Sequence, residues 1–173
     1  MNDDYLIVAA LGEEIPSIEK SRHLLLTGIG KVNAAVKLTR RLAQNPKIRT
    51  VINYGSCGSL RTDIMGVIDC ARFIEGERDD WTETIDTGRE GATLCTQDYF
   101  VTEAPKKEPK PDLVDMEGYS LAKACKEFGV DFYCYKFISD YVGDGNQLET
   151  WQESLHSGED LFKQILSSKF NIN

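Results

Sequence analysis

Three acidic residues and one serine stand where apolar runs of the chain give out. Glu14 follows YLIVAALG, Ser56 lies in TVINYGSCGS, Glu117 follows LVDM, and Asp140 follows FYCYKFIS. A carboxyl group at the rim of a sheet can give or take a proton, and it can accept hydrogen bonds from hydroxyls. Each residue alone has an ordinary structural explanation: Asp140 as a helix cap, Glu14 and Glu117 as first-turn residues favoured by a helix dipole. Three carboxylates on one sheet edge, with Ser56 between them in sequence, point instead to a ligand rich in hydroxyls and basic nitrogens.

The glycine motifs say less. Gly28-Ile29-Gly30 before a helix resembles an anion-binding turn, and a tight strand-to-helix turn explains it equally well. Asn33 occupies the place of the third glycine of a dinucleotide fingerprint, and the chain contains no G-x-x-x-x-G-K-S/T phosphate loop. Gly55-Ser56-Cys57-Gly58 departs from the G-x-S-x-G nucleophile elbow because Gly58 falls one position early. With His23 and His156 as its two histidines, neither beside a strong carboxylate motif, the chain lacks the parts of a Ser–His–acid triad. The stretch reads as a glycine-lined turn presenting Ser56, or as a turn packed closely between helix and sheet. Cys57, Cys70, Cys95, Cys125 and Cys134 are widely spaced with no C-x-x-C pair, which argues against zinc and for free buried thiols in a reducing cytoplasm.

The elements that must position these residues follow from hydropathy. Tyr5 to Leu11, His23 to Thr27, Thr50 to Tyr54, Val67 to Ile74, Ala92 to Val101, Leu113 to Met116 and Phe132 to Ile138 read as strands. A helix is expected over KVNAAVKLTRRLAQN, with Val32, Ala35, Thr39 and Leu42 on one face and Asn45-Pro46 as its stop. Ser120 to Phe128 reads as a second helix closed by Gly129, and Trp151 to Leu166 as a final amphipathic one. Glu75 to Gly91 reads as loop or sheet-edge structure, and PKKEPKP at 105–111 as a polar, proline-rich connection. Strands alternating with helices imply an α/β domain around a largely parallel sheet, with ligands at the carboxyl ends of its strands. One domain, 1–173, is expected at this length.

Composition removes several classes of function. Net charge is −8, and the densest basic cluster, KKEPK, is interrupted by Glu108, which argues against a nucleic-acid partner. No apolar run approaches the roughly 18 to 20 residues of a membrane span. The acidic start MNDDYLIVAALGEE has no basic region of the kind that opens a signal peptide.

Five stretches, AALGEEI, TGIGKVNAA, INYGSCGSL, VDMEGYSLAKACKEFGV and KFISD, resemble in order and spacing the 5′-methylthioadenosine/S-adenosylhomocysteine nucleosidases of the purine nucleoside phosphorylase/nucleosidase superfamily. The resemblance runs from about residue 5 to 142, with segments around 15–22 and 75–111 shortened. It implies a mixed, largely parallel sheet flanked by helices, and hydrolysis of the N-glycosidic bond of a purine nucleoside. Asp140 would protonate the base at N7, with Ser139 holding its side chain. Glu117 would accept hydrogen bonds from the ribose 2′- and 3′-hydroxyls, Met116 would pack on the sugar, and Glu14 would activate water. Ser56 and Gly58 would line the sugar and water sites. Phe100 and Val101 would stack on the purine and contact it through backbone, and Lys136 stands where the family commonly has an arginine. Gly118-Tyr119 replaces the small residues that the resemblance leads one to expect after Met-Glu, so Tyr119 is expected to crowd or reshape the sugar side. No metal or organic cofactor is implied. The partners implied are a small-molecule nucleoside and a second copy of the chain in a cytoplasmic homodimer, whose other subunit completes the pocket.

The same superfamily contains phosphorylases, whose G-D-P-x-R-like stretch grips phosphate after the first strand. Here the position reads Gly12-Glu13-Glu14, where two carboxylates repel phosphate and can orient water, so hydrolysis is expected. The alternatives are a phosphorolytic enzyme and a non-catalytic nucleoside-binding protein of the same fold.

Overall fold

The first apolar run becomes β1 (Tyr5–Ala9), paired in parallel on both edges and buried from Leu6 onward, with Leu6 and Val8 in the core on one face and Ile7 and Ala9 in the core on the other. Those partners are β2 (Leu24–Leu26) and β3 (Thr50–Ser59). The computed structural model describes residues 4–78 and 82–172. Residues 79–81, within the stretch expected as loop or sheet edge, lie outside this description.

β3 is the spine of the sheet. Its first residues pair with β1, and its whole length pairs in parallel with β8 (Asp131–Tyr141). Its last residues, Gly58 and Ser59, meet β7 (Leu113–Asp115) antiparallel. β4 (Val67–Glu75) runs antiparallel to β8 and parallel to β6 (Ala92–Thr96), which in turn lies parallel to β7. The pairings β3–β7–β6–β4–β8–β3 therefore close a ring, and the short β5 (Ile85–Asp86) borders β4. The sheet is mixed and largely parallel, as expected.

Two boundaries move with consequences for the site. Gly55–Ser59, expected as a turn, is strand, because β8 supplies a partner for each of its residues. Ser139 and Asp140, expected beyond a strand, lie inside β8. The register slips there: Cys57 faces Ile138 while Gly58 faces Asp140, leaving Ser139 as the extra residue of a bulge. Bulges bend a strand locally and re-aim its side chains.

Helices cover both faces of the sheet. In α1 (Lys31–Gln44) the buried face is Ala34, Leu38 and Leu42, whereas Val32 is 72% exposed. The expected stripe through Val32, Ala35 and Thr39 has helical spacing too, but burying the larger Leu38 sets the rotation of the helix. α2 (Gly118–Phe128) packs beside α1 over a core that includes Val51, Leu94 and Leu121. The single final helix expected at 151–166 is two, α3 (Gln147–Ser154) and α4 (Glu159–Phe170). Gly158 lies at the break, as the residue that opens α4. A Cβ there would lie 2.5 Å from both Phe137 and the Tyr54 hydroxyl, so the chain passes the sheet where a larger residue would collide. Beyond it, Phe162 stacks on Tyr54 at 4.4 Å and anchors α4.

Tyr119, expected to crowd the sugar side, does not join the other candidate site residues. It is buried in the α2 core, donates its hydroxyl to the Glu83 carbonyl at 3.2 Å, and does not line the cavity described below. All five cysteines are buried and free.

Candidate active site

Glu14 sits on a one-turn 3-10 helix, Gly12–Glu14, immediately after β1, and its carboxylate folds back onto the strand end. Oε2 accepts the Ala10 and Leu11 amides, both at 3.1 Å. Oε1 accepts the Ser56 amide at 2.8 Å and the Ser56 hydroxyl at 3.1 Å. These donors occupy the four lone-pair positions of the carboxylate. Three are backbone groups, so the fold itself fixes this side chain. The Ser56 hydroxyl can rotate, and it accepts in turn from Trp151 Nε1 at 2.9 Å.

Glu117 precedes α2 at the end of β7, and Gly30 N–H donates to its Oε1 at 2.8 Å. The N–H that the Gly28–Gly30 turn presents is thus taken by the chain's own Glu117 carboxyl group. Burial, with the Asp115 carboxylate nearby, pushes Glu117 up to about 8, against the pull of Lys136 and the Gly30 amide. Lys136 and Asp115 pair at 2.8 Å with side chains 1% exposed. Burial works against the lysine's charge, but Asp115 and its other anionic neighbours hold it well above the usual lysine range.

Asp140 is held differently. Ser139 Oγ donates to Oδ1 at 2.7 Å, and Gln147 Nε2 donates to Oδ2 at 3.2 Å. The bulge makes the first contact possible, since Ser139 Oγ also lies 3.1 Å from the Cys57 carbonyl. Burial raises Asp140 above the ordinary carboxyl range, opposed by the Ser139 and Gln147 hydrogen bonds. A carboxyl in such surroundings can carry a proton at a pH where an exposed aspartate cannot.

These groups share one cavity at the carboxyl ends of β1 and β7. Glu14, Ser56, Gly58, Phe100, Val101, Met116, Glu117, Ser139 and Asp140 all line it. Lys136 does not line it; it stays buried through its pair with Asp115. Phe100 meets Trp151 edge-on at 6.4 Å between centroids. Among the described residues no cluster of histidine, cysteine and carboxylate side chains is arranged to hold a metal. No helix among them is long and apolar enough to cross a membrane.

Three contributors escape the sequence reading. Asp115 carries a signal, since it ends an apolar strand two residues before Glu117. Trp151 and Gln147 carry none. A tryptophan in an amphipathic stretch reads as core, and nothing local shows that α3 folds back over the cavity.

Residues 14–72 match the model of the phosphorylase superfamily. A 5′-methylthioadenosine/S-adenosylhomocysteine nucleosidase from Colwellia psychrerythraea 34H, in complex with adenine, superposes with a TM-score of 0.78 at 18% identity. The match covers 94% of this chain and 92% of that one. The S. pneumoniae nucleosidase of the same kind, with a transition-state inhibitor, gives 0.77 at 18% identity over 94% and 96% of the two chains. A mutant futalosine hydrolase of Helicobacter pylori strain 26695 gives 0.80 at 19% identity over 96% and 98%. The fold of this chain is that of the 5′-methylthioadenosine/S-adenosylhomocysteine nucleosidases, and its residues 14–72 carry the pattern of the phosphorylase superfamily.

Proposed function

We propose that the protein hydrolyses the N-glycosidic bond of a purine nucleoside or of a 5′-thio-substituted adenosine such as methylthioadenosine or S-adenosylhomocysteine. The observation that carries this reading is the grouping of Glu14, Glu117 and Asp140 around one cavity. Breaking the bond leaves the base electron-rich and the sugar electron-poor. Asp140, its carboxyl raised by burial, gives its proton to N7 and makes the base a better leaving group. Glu117 accepts the ribose hydroxyls beside Met116; hydrogen bonds donated by those hydroxyls and by the Gly30 amide favour its ionised form, whose charge stabilises the developing oxocarbenium ion. The Ser56 hydroxyl turns aside to let water reach Glu14 Oε1, which orients it and takes up its proton. Phe100 and Val101 face the base.

The cavity lining contains four carboxyl groups, Glu14, Asp115, Glu117 and Asp140, and neither arginine nor lysine among the described residues. No cationic side chain of that lining is available to grip a phosphate, which favours water as the nucleophile. The same reading makes the protein a cytoplasmic homodimer, checked by sedimentation velocity. The test of function is a panel of adenosine, inosine, methylthioadenosine and S-adenosylhomocysteine, each with and without phosphate. Adenine release from the thioethers in phosphate-free buffer is expected. An absolute requirement for phosphate makes the enzyme a phosphorylase, and binding without turnover makes it a nucleoside-binding protein.

A further inference from the structure

Gln147 opens α3 and takes no part in the reaction as written, yet its carboxamide is buried against Asp140. The residue is 7% exposed. Nε2 donates to Asp140 Oδ2 and to the Val101 carbonyl, both at 3.2 Å, while Oε1 accepts the Gly143 amide at 3.3 Å. These contacts fix the orientation of the amide. A flipped group would set its oxygen against two acceptors and its nitrogen against an N–H. One helical turn further on, Trp151 donates to Ser56, which donates to Glu14. Residues four apart share a helix face, so α3 reaches both the Asp140 and the Glu14 sides of the cavity.

We propose that Gln147 is the positioning residue of Asp140. Its amide holds Oδ2 while Ser139 holds Oδ1, which fixes the plane of the carboxyl group and leaves each oxygen a position for a proton or a lone pair toward the cavity. The proposal rests on the reading of Asp140 as the acid. Two titratable groups face Asp140 from its surroundings: Asp144, on the turn after β8, whose negative charge favours the protonated form, and the Cys57 thiol on β3, which burial keeps neutral. Removing the Gln147 donor removes one of the two hydrogen bonds that favour the ionised form, so the acid should titrate at higher pH.

The experiment compares wild type with Gln147→Leu and Gln147→Glu. It follows kcat and KM for methylthioadenosine against pH, together with the carbon-13 carboxyl titration of Asp140 assigned through Asp140→Asn. Loss of alignment in Gln147→Leu is expected to lower kcat about tenfold with KM changed less than about twofold. The alkaline limb of the kcat profile and the Asp140 titration should both move to higher pH. In Gln147→Glu the introduced carboxyl can donate only while protonated, so the variant should lose activity relative to wild type as pH rises. It also serves if the leucine variant fails to fold, as judged by near-ultraviolet circular dichroism. An active wild type whose Asp140 titration and pH limb stay put in the folded variants overturns this proposal alone. A wild type that releases no base from any nucleoside overturns the nucleosidase reading, and this proposal with it.

Discussion

Glu14 and Asp140 line the same cavity, and the molecule holds them by different means. Glu14 accepts three backbone amides and a hydroxyl, from the end of β1 and the middle of β3. Asp140 accepts no comparable set. Two side chains hold it, one from its own bulged strand and one from α3. Backbone donors are present as soon as the sheet forms, so the Glu14 side is fixed by the fold. Side-chain donors depend on a second element arriving in the right place, so the Asp140 side can be tuned by substitution. The contrast suits a site in which one group orients water and the other must carry a proton and release it.

The largest effect is expected beneath the rigid side. Lys136→Met leaves Asp115 buried without its cation, and the loss should be about 3–5 kcal/mol in urea unfolding. A loss under about 1 kcal/mol would mean that water reaches and solvates Asp115. Next comes Glu14→Gln, which sets carboxamide N–H groups against donors already in place. The expected fall in kcat is about a hundredfold, and an unchanged kcat would remove Glu14 from the reaction.

A smaller effect should appear in the pH dependence of stability. The folded pKa of Glu117, about 8, lies above its ordinary 4.5. A raised carboxyl contributes stability that is complete below the unfolded value and is lost as pH rises through the folded one. Tm should therefore decline between pH 4.5 and 8, and Glu117→Gln should flatten that decline. A wild-type Tm that rises across the same interval would contradict the raised value. Together the three variants test whether the fold alone secures the Glu14 and Glu117 side.

The division between the two sides is also a division in what the sequence reveals. The strands around Glu14, Ser56 and Glu117 are apolar runs with a carboxyl or a hydroxyl at their ends, and their pattern survives in the structure. Local spacing carries that information. Even there, the extension of β3 through Gly55–Ser59 depends on β8 lying alongside, a pairing of residues some 80 positions apart, such as Gly55 with Lys136. The rotation of α1 was not legible either, because two stripes of the helix have the same period and only packing chooses between them. Trp151 and Gln147 were hidden most deeply. At the break that sets α3 apart, Gly158 passes close to Phe137 and Tyr54, a contact that no local pattern encodes.

Asp140→Asn gives the most direct test of the account. An amide cannot protonate N7, while the residue's size and its neighbours stay nearly the same. In phosphate-free buffer, wild type should release adenine from methylthioadenosine, and the variant should do so about a thousandfold more slowly with its fold intact. Adenine release at the wild-type rate by the variant, across the pH range, would contradict the assignment of Asp140 as the acid.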